Sequence, residues 1–446
     1  MRRNGVTGKI LKAIGLFSGA EAVGIVCSIV KMKLVALWLG ATGVGLFGIF
    51  NSSIDTISIL TGFGLRQSSV REIARAGENK RRLRELARLL RSWSWAVGLL
   101  GSVAMSALSP LLSLWFFGEP DQWWQFMIVS GSLLLSSLTG AEQAMLQGRG
   151  LFRRLARANM TGAVAGLVVS IPMFRFLGEE SVIGSILAYG AAMLVSLMIS
   201  RERGDAYRLS SPKEMRKGLD FVRLGGYMAV ATFATNLAQM IFLSWLNREA
   251  STAEVGYFQA GNTLVIRYTS LIFSAVGMEF YPRMSANSHS PRRMSMFVSH
   301  ETNLLLSIFT PLLILFLVFQ DLIIRILYTP DFLVVRPFIT IAILTVILKS
   351  VSNCMAFSIL AKGEGRVYMF TETFDAIVGV ALNILFYRLY GLNGIGVALV
   401  LWYLSYTLMI SLIYFFRYRL TLSRRSVFVL MASLAISLSA VCICLH

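Results

Sequence analysis

The chain of 446 residues is 56 % hydrophobic and 15 % charged, with a mean hydropathy of +0.67. That balance excludes a soluble globular fold and defines an integral membrane protein. A net charge of +19 would suggest nucleic acid for a soluble chain, but here the basic residues sit in short loops between apolar segments, which removes that reading.

Thirteen apolar segments follow one another, over about 13–40, 43–65, 92–117, 123–147, 158–177, 181–200, 221–246, 255–281, 297–319, 338–361, 367–390, 394–416 and 427–445. The N-terminal MRRNGVTGKILK has a signal-like positive region. The apolar run behind it is long and carries Lys31 and Lys33, so it reads as a first membrane helix, not a cleaved peptide. Between the second and third segments, residues 66–91 form a basic amphipathic stretch suited to the membrane surface. The N-terminus and alternate loops (66–91, 148–157, 201–223, 282–296, 362–366, 417–425) hold 33 of the 42 Lys and Arg residues. The positive-inside rule places these loops and the N-terminus in the cytoplasm of a multi-pass protein, here the cell inner membrane. Every loop is short, so work has to be done among the helices or at their ends.

Two halves echo each other. Val44-Gly45-Leu46-Phe47 with Asn51 matches Val255-Gly256-Tyr257-Phe258 with Asn262, Val182-Ile183-Gly184 matches Gly394-Ile395-Gly396, and Leu146–Gly150 matches Leu360–Gly365. Three matches in one order at nearly one offset predict an all-α membrane fold of two six-helix lobes, 1–217 and 218–420, around a central cleft. A further hydrophobic helix over 421–446 brings the count to about thirteen.

Polar stripes at steps of three and four run along several helices. The first carries Glu21, Gly24, Ser28 and Lys31; the second Asn51, Asp55, Ser58 and Gly62; the seventh Thr232, Asn236 and Gln239. The eighth carries Gln259, Thr263, Arg267, Ser270 and Ser274, with Asn262 beside it. Arg267 is twelve residues, or about 18 Å of helix, from Val255, which sets it at mid-depth. The tenth carries Thr345, Lys349 and Ser352; the eleventh Glu372, Asp375 and Gly379. Small polar residues in such stripes usually satisfy one another by hydrogen bonds. Charges weigh more, because each costs a few kcal/mol in lipid unless it faces a partner or water. The deep charges are basic at the centre (Lys31, Arg267, Lys349), and Asp55 is the one comparably deep acid. A cationic centre suits a phosphate-bearing substrate. Lys33 points to another face and, about a turn from the outer end, can snorkel to headgroups. Asp55, Glu142 and Asp375 are the acids suited to carrying a coupling proton, or to holding Na+.

No Walker A, HExxH or CxxC motif is present. Cys27, Cys354, Cys442 and Cys444 lie in apolar stretches, and the three histidines are scattered, so neither a cofactor nor a metal is expected. The run Lys33 to Gly45, KLVALWLGATGVG, resembles the turn between helices one and two of Wzx-type O-antigen translocases. Glu254-Val-Gly-Tyr-Phe-Gln259, followed by Tyr281-Pro-Arg-Met-Ser285, resembles their helix-eight signature. These proteins belong to the multidrug/oligosaccharidyl-lipid/polysaccharide exporter superfamily, and the resemblance covers roughly 10–420. It implies a flippase, not an enzyme, moving an undecaprenyl-diphosphate-linked oligosaccharide from the cytoplasmic to the periplasmic leaflet by alternating access. A surface-polysaccharide polymerase and a chain-length regulator are the protein partners such a role implies. Lys33 falls on a lysine of that group; Arg267 matches no charge in it. The thirteenth segment departs from a twelve-helix plan. The residues alone leave two alternatives: a cation-coupled multidrug or small-molecule exporter of the same fold, which needs acids at its site, and a membrane-embedded glycan polymerase or ligase, which needs a sizeable outer loop.

Overall fold

The computed structural model describes residues 2–62, 65–77, 79–200, 209–211, 215, 226–287 and 289–445. The expected lobe boundary at 217/218 lies outside these residues, as do the side chains of Glu21 and Ser274. The chain divides into two compact units, Met1–Ala229 and Val230–His446. All the described regular structure is helical, and the described parts of the thirteen apolar segments lie mainly on helix.

In the first unit, α1 (Arg2–Gly62) carries the first two segments. Its ladder breaks at Gly40, whose φ of 65° and ψ of −158° only glycine adopts without strain, so one continuous assignment holds two crossings. α2 (Leu65–Ala76) is a short amphipathic helix that packs on α5 (Gly131–Gly148). The basic residues after it belong instead to the start of α3 (Lys80–Phe117), capped by the Asn79 side chain, which accepts from the Arg82 N–H at 3.1 Å. Basic turn and membrane segment are thus one 38-residue helix. α4 (Trp123–Val129) and α5 (Gly131–Gly148) form the fourth segment, α6 (Phe152–Phe176) the fifth and α7 (Ser181–Ile199) the sixth. α6 packs on α1 and on α7. Gly162 and Gly166, one turn apart on α6, let α7 approach: a Cβ at Gly166 would stand 2.7 Å from the Tyr189 ring. Phe50, Phe116 and Phe126, all fully buried, bring α1, α3 and α4 together, with Phe50 and Phe126 centroids 5.3 Å apart.

In the second unit α8 (Gly226–Glu249) precedes α9 (Thr252–Asn262), a π-helical turn (Thr263–Arg267) and α10 (Tyr268–Ala286), which together form the eighth segment. α11 (Pro291–Leu327) is the ninth; α12 (Arg336–Ala342) and α13 (Thr345–Ala361), bent by 50°, are the tenth. α14 (Gly365–Leu412) carries two segments broken at Gly391 (φ 60°), and α15 (Arg424–Leu445) is the thirteenth. α15 packs on α11.

The internal repeat is written in backbone hydrogen bonds. Past α5, Leu151 N–H donates to Leu146 and Gly150 N–H to Gln147; past α13, Glu364 N–H donates to Ile359 and Gly363 N–H to Leu360. Both are the paired bonds of a Schellman ending around a left-handed glycine (φ 69° and 75°), 213 residues apart. Gly178 and Gly391, left-handed at the next turn of each unit, repeat that spacing.

Candidate functional site

Each unit encloses a lysine whose surroundings are neutral. In the first, the Lys31 ammonium on α1 lies 4.5 Å from the centroid of Phe47 and 5.2 Å from that of Tyr189. Phe47 is one of the repeat residues, and Tyr189 is the ring seated against Gly166. In the second, the Lys349 ammonium on α13 donates to Ser270 Oγ at 2.9 Å and stands 5.3 Å from the Phe273 ring and 5.9 Å from that of Tyr403. Among the described residues no carboxylate is within ion-pair reach of Lys31 or Lys349. Two aromatic faces contribute about 0.5–2 kcal/mol each, against a cost of roughly 3 kcal/mol or more for a charge at mid-membrane. Each ammonium is therefore held but not neutralised.

Arg267 closes the π turn and is exposed; among the described residues nothing hydrogen-bonds to its guanidinium. The stripe expected from Gln259 to Ser274 assumes 100° per residue. The π turn carries an extra residue per turn, so positions after it rotate out of phase. Ser270 turns inward to Lys349, while Arg267 points away from the packed interior. Gln259 and Asn262 are half-buried on α9.

Most smaller polar groups serve their own helices. Asn51 donates to the Phe47 carbonyl at 2.7 Å, and Ser53, Thr56 and Thr61 donate likewise one turn back. Lys33 is half-buried two residues from Lys31, and Asp55 lies on an exposed face of α1.

The acids divide sharply. Glu142 on α5 is buried against Arg91 on α3, with Arg91 Nε 2.9 Å from Oε1 and Nη2 3.4 Å from Oε2; their side chains are 5 % and 1 % exposed. Asp375 and Glu372 on α14 meet neutral donors instead. Trp402 Nε1–H donates to Asp375 Oδ1 at 2.6 Å, and the Tyr406 hydroxyl donates to Glu372 Oε1 at 2.7 Å. Gly379, on the same face, leaves the room Trp402 fills: a Cβ there would lie 2.4 Å from the indole. The sequence reading missed these aromatic partners. Trp402 and Tyr406 do stand four residues apart, the spacing of one helix face, and that signal was available.

Among the described residues no group of three His, Cys, Asp or Glu could hold a metal ion. Cys27 and Cys354 are buried as free thiols.

Helices of this length and hydropathy, arranged in two repeated units with charges inside them, define a multi-pass membrane transporter fold. The inward-facing form of a multidrug resistance MATE family transporter of the MOP superfamily matches with TM-score 0.73 at 16 % identity, over 89 % of this chain and 94 % of that one. The lipid II flippase MurJ, in an inward closed conformation, matches with TM-score 0.66 at 14 % identity, over 96 % and 97 %. A MOP superfamily transporter from Pyrococcus furiosus, described as having a binding pocket of reverse polarity, matches with TM-score 0.64 at 15 % identity, over 92 % and 96 %. The family model described as polysaccharide biosynthesis protein matches residues 34–337, and the chain belongs to that family, in keeping with its resemblance to Wzx-type translocases. No curated protein sequence matches the chain.

Proposed function

We propose that this protein is a flippase for a lipid-linked oligosaccharide, carrying an undecaprenyl-diphosphate-linked unit of O-antigen or a related surface polysaccharide from the cytoplasmic to the periplasmic leaflet by alternating access. The observation that carries this reading is the pair of enclosed lysines, each on neutral partners. A cation kept in the apolar interior without a counter-charge is poised for an anion that arrives and leaves. A diphosphate has that chemistry: Lys31 in the first unit and Lys349 in the second are each able to engage such a group as a point charge, and the exposed Arg267 offers a fork. Family membership supplies the glycan, and the membrane fold supplies the lipid route.

Transport is coupled through Asp375 and Glu372, whose neutral donors permit protonation, with Asp55 as the remaining exposed acid. Glu142 is tied to Arg91 and is the weakest of the expected coupling groups. The same acid pair, with the similarity to a multidrug transporter, favours one second reading: a cation-coupled exporter of small molecules.

The test is surface-glycan display in cells relying on this chain, at matched protein level. Lys31→Ala and Lys349→Ala are each expected to lower display at least tenfold, with partial recovery for Lys→Arg, and Arg267→Ala to lower it less. Normal display in all three variants would overturn the proposal. Drug resistance conferred by expression without any change in glycan would instead establish the second reading.

A further inference from the structure

The end of α11 that begins at Pro291 borders a cavity of about 530 Å³ that plays no part in the lysine sites. Two of the basic loops, 282–296 and 417–425, contribute residues to it. One wall is the first three turns of α11, with Arg292, His300 and Asn303; the other is the connection from α14 to α15, with Arg419, Thr421 and Ser423. None of the residues around it is a carboxylate. Among the described residues no hydrogen bond or ion pair occupies Arg292, His300 or Arg419, whereas the nearby Arg417 is spent on Glu364 at 2.8 Å.

The connection is built with some care. Thr421 N–H donates to Ser295 Oγ at 3.1 Å and Ser423 N–H to Ser299 Oγ at 2.9 Å, while Ser426 Oγ donates to the Ser299 carbonyl at 3.1 Å. Two α11 hydroxyls thus fasten the segment that forms the far wall. Within it Arg419 has φ of 51°. It is the one residue other than glycine, among those described, in the left-handed region, where a side chain crowds its own backbone. A glycine would sit there without strain. Strain retained at a position that presents a free guanidinium into a cavity is the kind kept for a ligand.

We infer that this cavity is a binding site for a phosphate group, gripped by Arg419 from one wall and by Arg292 and His300 from the other, and distinct from the site proposed for transport. Arg matches phosphate with two parallel N–H donors, and the hydroxyl of Thr421 at the rim can donate to a remaining oxygen. A phosphate held there bridges the connection to α11, so occupancy fastens α15 to the rest of its unit. The phosphate can come from an anionic lipid headgroup or from a soluble phosphate compound; the chemistry is shared, and the experiment separates them.

In uncharged detergent, the full-length protein carrying Lys31→Ala and Lys349→Ala, without the lysines proposed for transport, is titrated with pyrophosphate by calorimetry. In parallel, retention of phosphatidylglycerol over phosphatidylcholine is read by native mass spectrometry. Saturable binding of either probe, weakened at least tenfold by Arg292→Gln and by Arg419→Gly, is the expected result; which probe binds names the source. Arg419→Gly also relieves the strained backbone, so its melting temperature is expected to stay level or rise while binding falls. Arg292→Gln lies on the exposed first turn of α11 and leaves the connection untouched, so it decides the matter should the 419 variant fold poorly. Binding of neither probe, or binding unchanged in Arg292→Gln, overturns the inference.

Discussion

The two units share a backbone plan yet treat their inward acids in opposite ways. Their turns repeat bond for bond at Gly150 and Gly363. Their acids do not. The first unit matches its buried acid with a base, Glu142 with Arg91, and leaves Lys31 to two rings. The second gives both α14 acids neutral donors and leaves Lys349 on a hydroxyl and two rings. A repeat preserves what the chain needs in order to turn and pack. Side-chain chemistry is free to drift between copies, and it drifts toward whatever each unit does.

The sharpest way to break this contrast is to remove one partner of the first unit's pair. Glu142→Ala leaves the Arg91 guanidinium buried at 1 % exposure without its carboxylate. Losing one member of a buried pair costs about 3–5 kcal/mol, so thermal unfolding in detergent should shift down markedly. A Glu142→Leu, Arg91→Leu double variant removes both charges and should recover much of that loss. If Glu142→Ala kept full stability and lost transport alone, Glu142 would belong with the coupling acids after all.

The second unit's acids are tested through their neighbour. Gly379→Leu forces the Trp402 ring out of the space it occupies and off Asp375. Overpacking of this kind costs about 1–3 kcal/mol, less than the broken ion pair, so the protein should still accumulate. Glycan display should fall more than stability does, and Asp375→Asn should reproduce the fall without the packing defect. Equal loss of protein and display in Gly379→Leu, with normal display in Asp375→Asn, would reduce Asp375 to a packing element.

Much of this framework was legible in the sequence, because its causes are local. Hydropathy marks every segment, and Gly363 or Gly391 marks a turn because a left-handed residue ends or breaks a helix there. The stripe Glu372, Asp375, Gly379 was visible as one face and does form one, since α14 is regularly α-helical across it. The stripe from Gln259 onward is interrupted for the complementary reason: a π turn has no residue signature, and its extra residue shifts Arg267 and Ser270 out of phase with Gln259 and Thr263. The Arg91–Glu142 pair was hidden by distance along the chain, 51 residues, with no periodicity to link α3 and α5. Tyr189 was hidden in the same way: its role depends on Gly166 across a helix interface.

The smallest expected effect returns to the two units' backbones. In the first, every described residue with positive φ is a glycine: Gly40, Gly77, Gly118, Gly150 and Gly178. In the second, Gly363 and Gly391 are joined by Arg419. A non-glycine residue in this region costs about 1–2 kcal/mol, so Arg419→Gly should raise stability by about 1 kcal/mol, the greater freedom of glycine in the unfolded chain removing part of the gain. Gly150→Ala, at the corresponding kind of position in the first unit, should lower it by a similar amount. Opposite signs at the two sites, read in one unfolding series, would show that Arg419 is held against its own backbone preference. A loss in both would show that the Arg419 side chain stabilises the connection as it stands, and the strain there would then need no ligand to account for it.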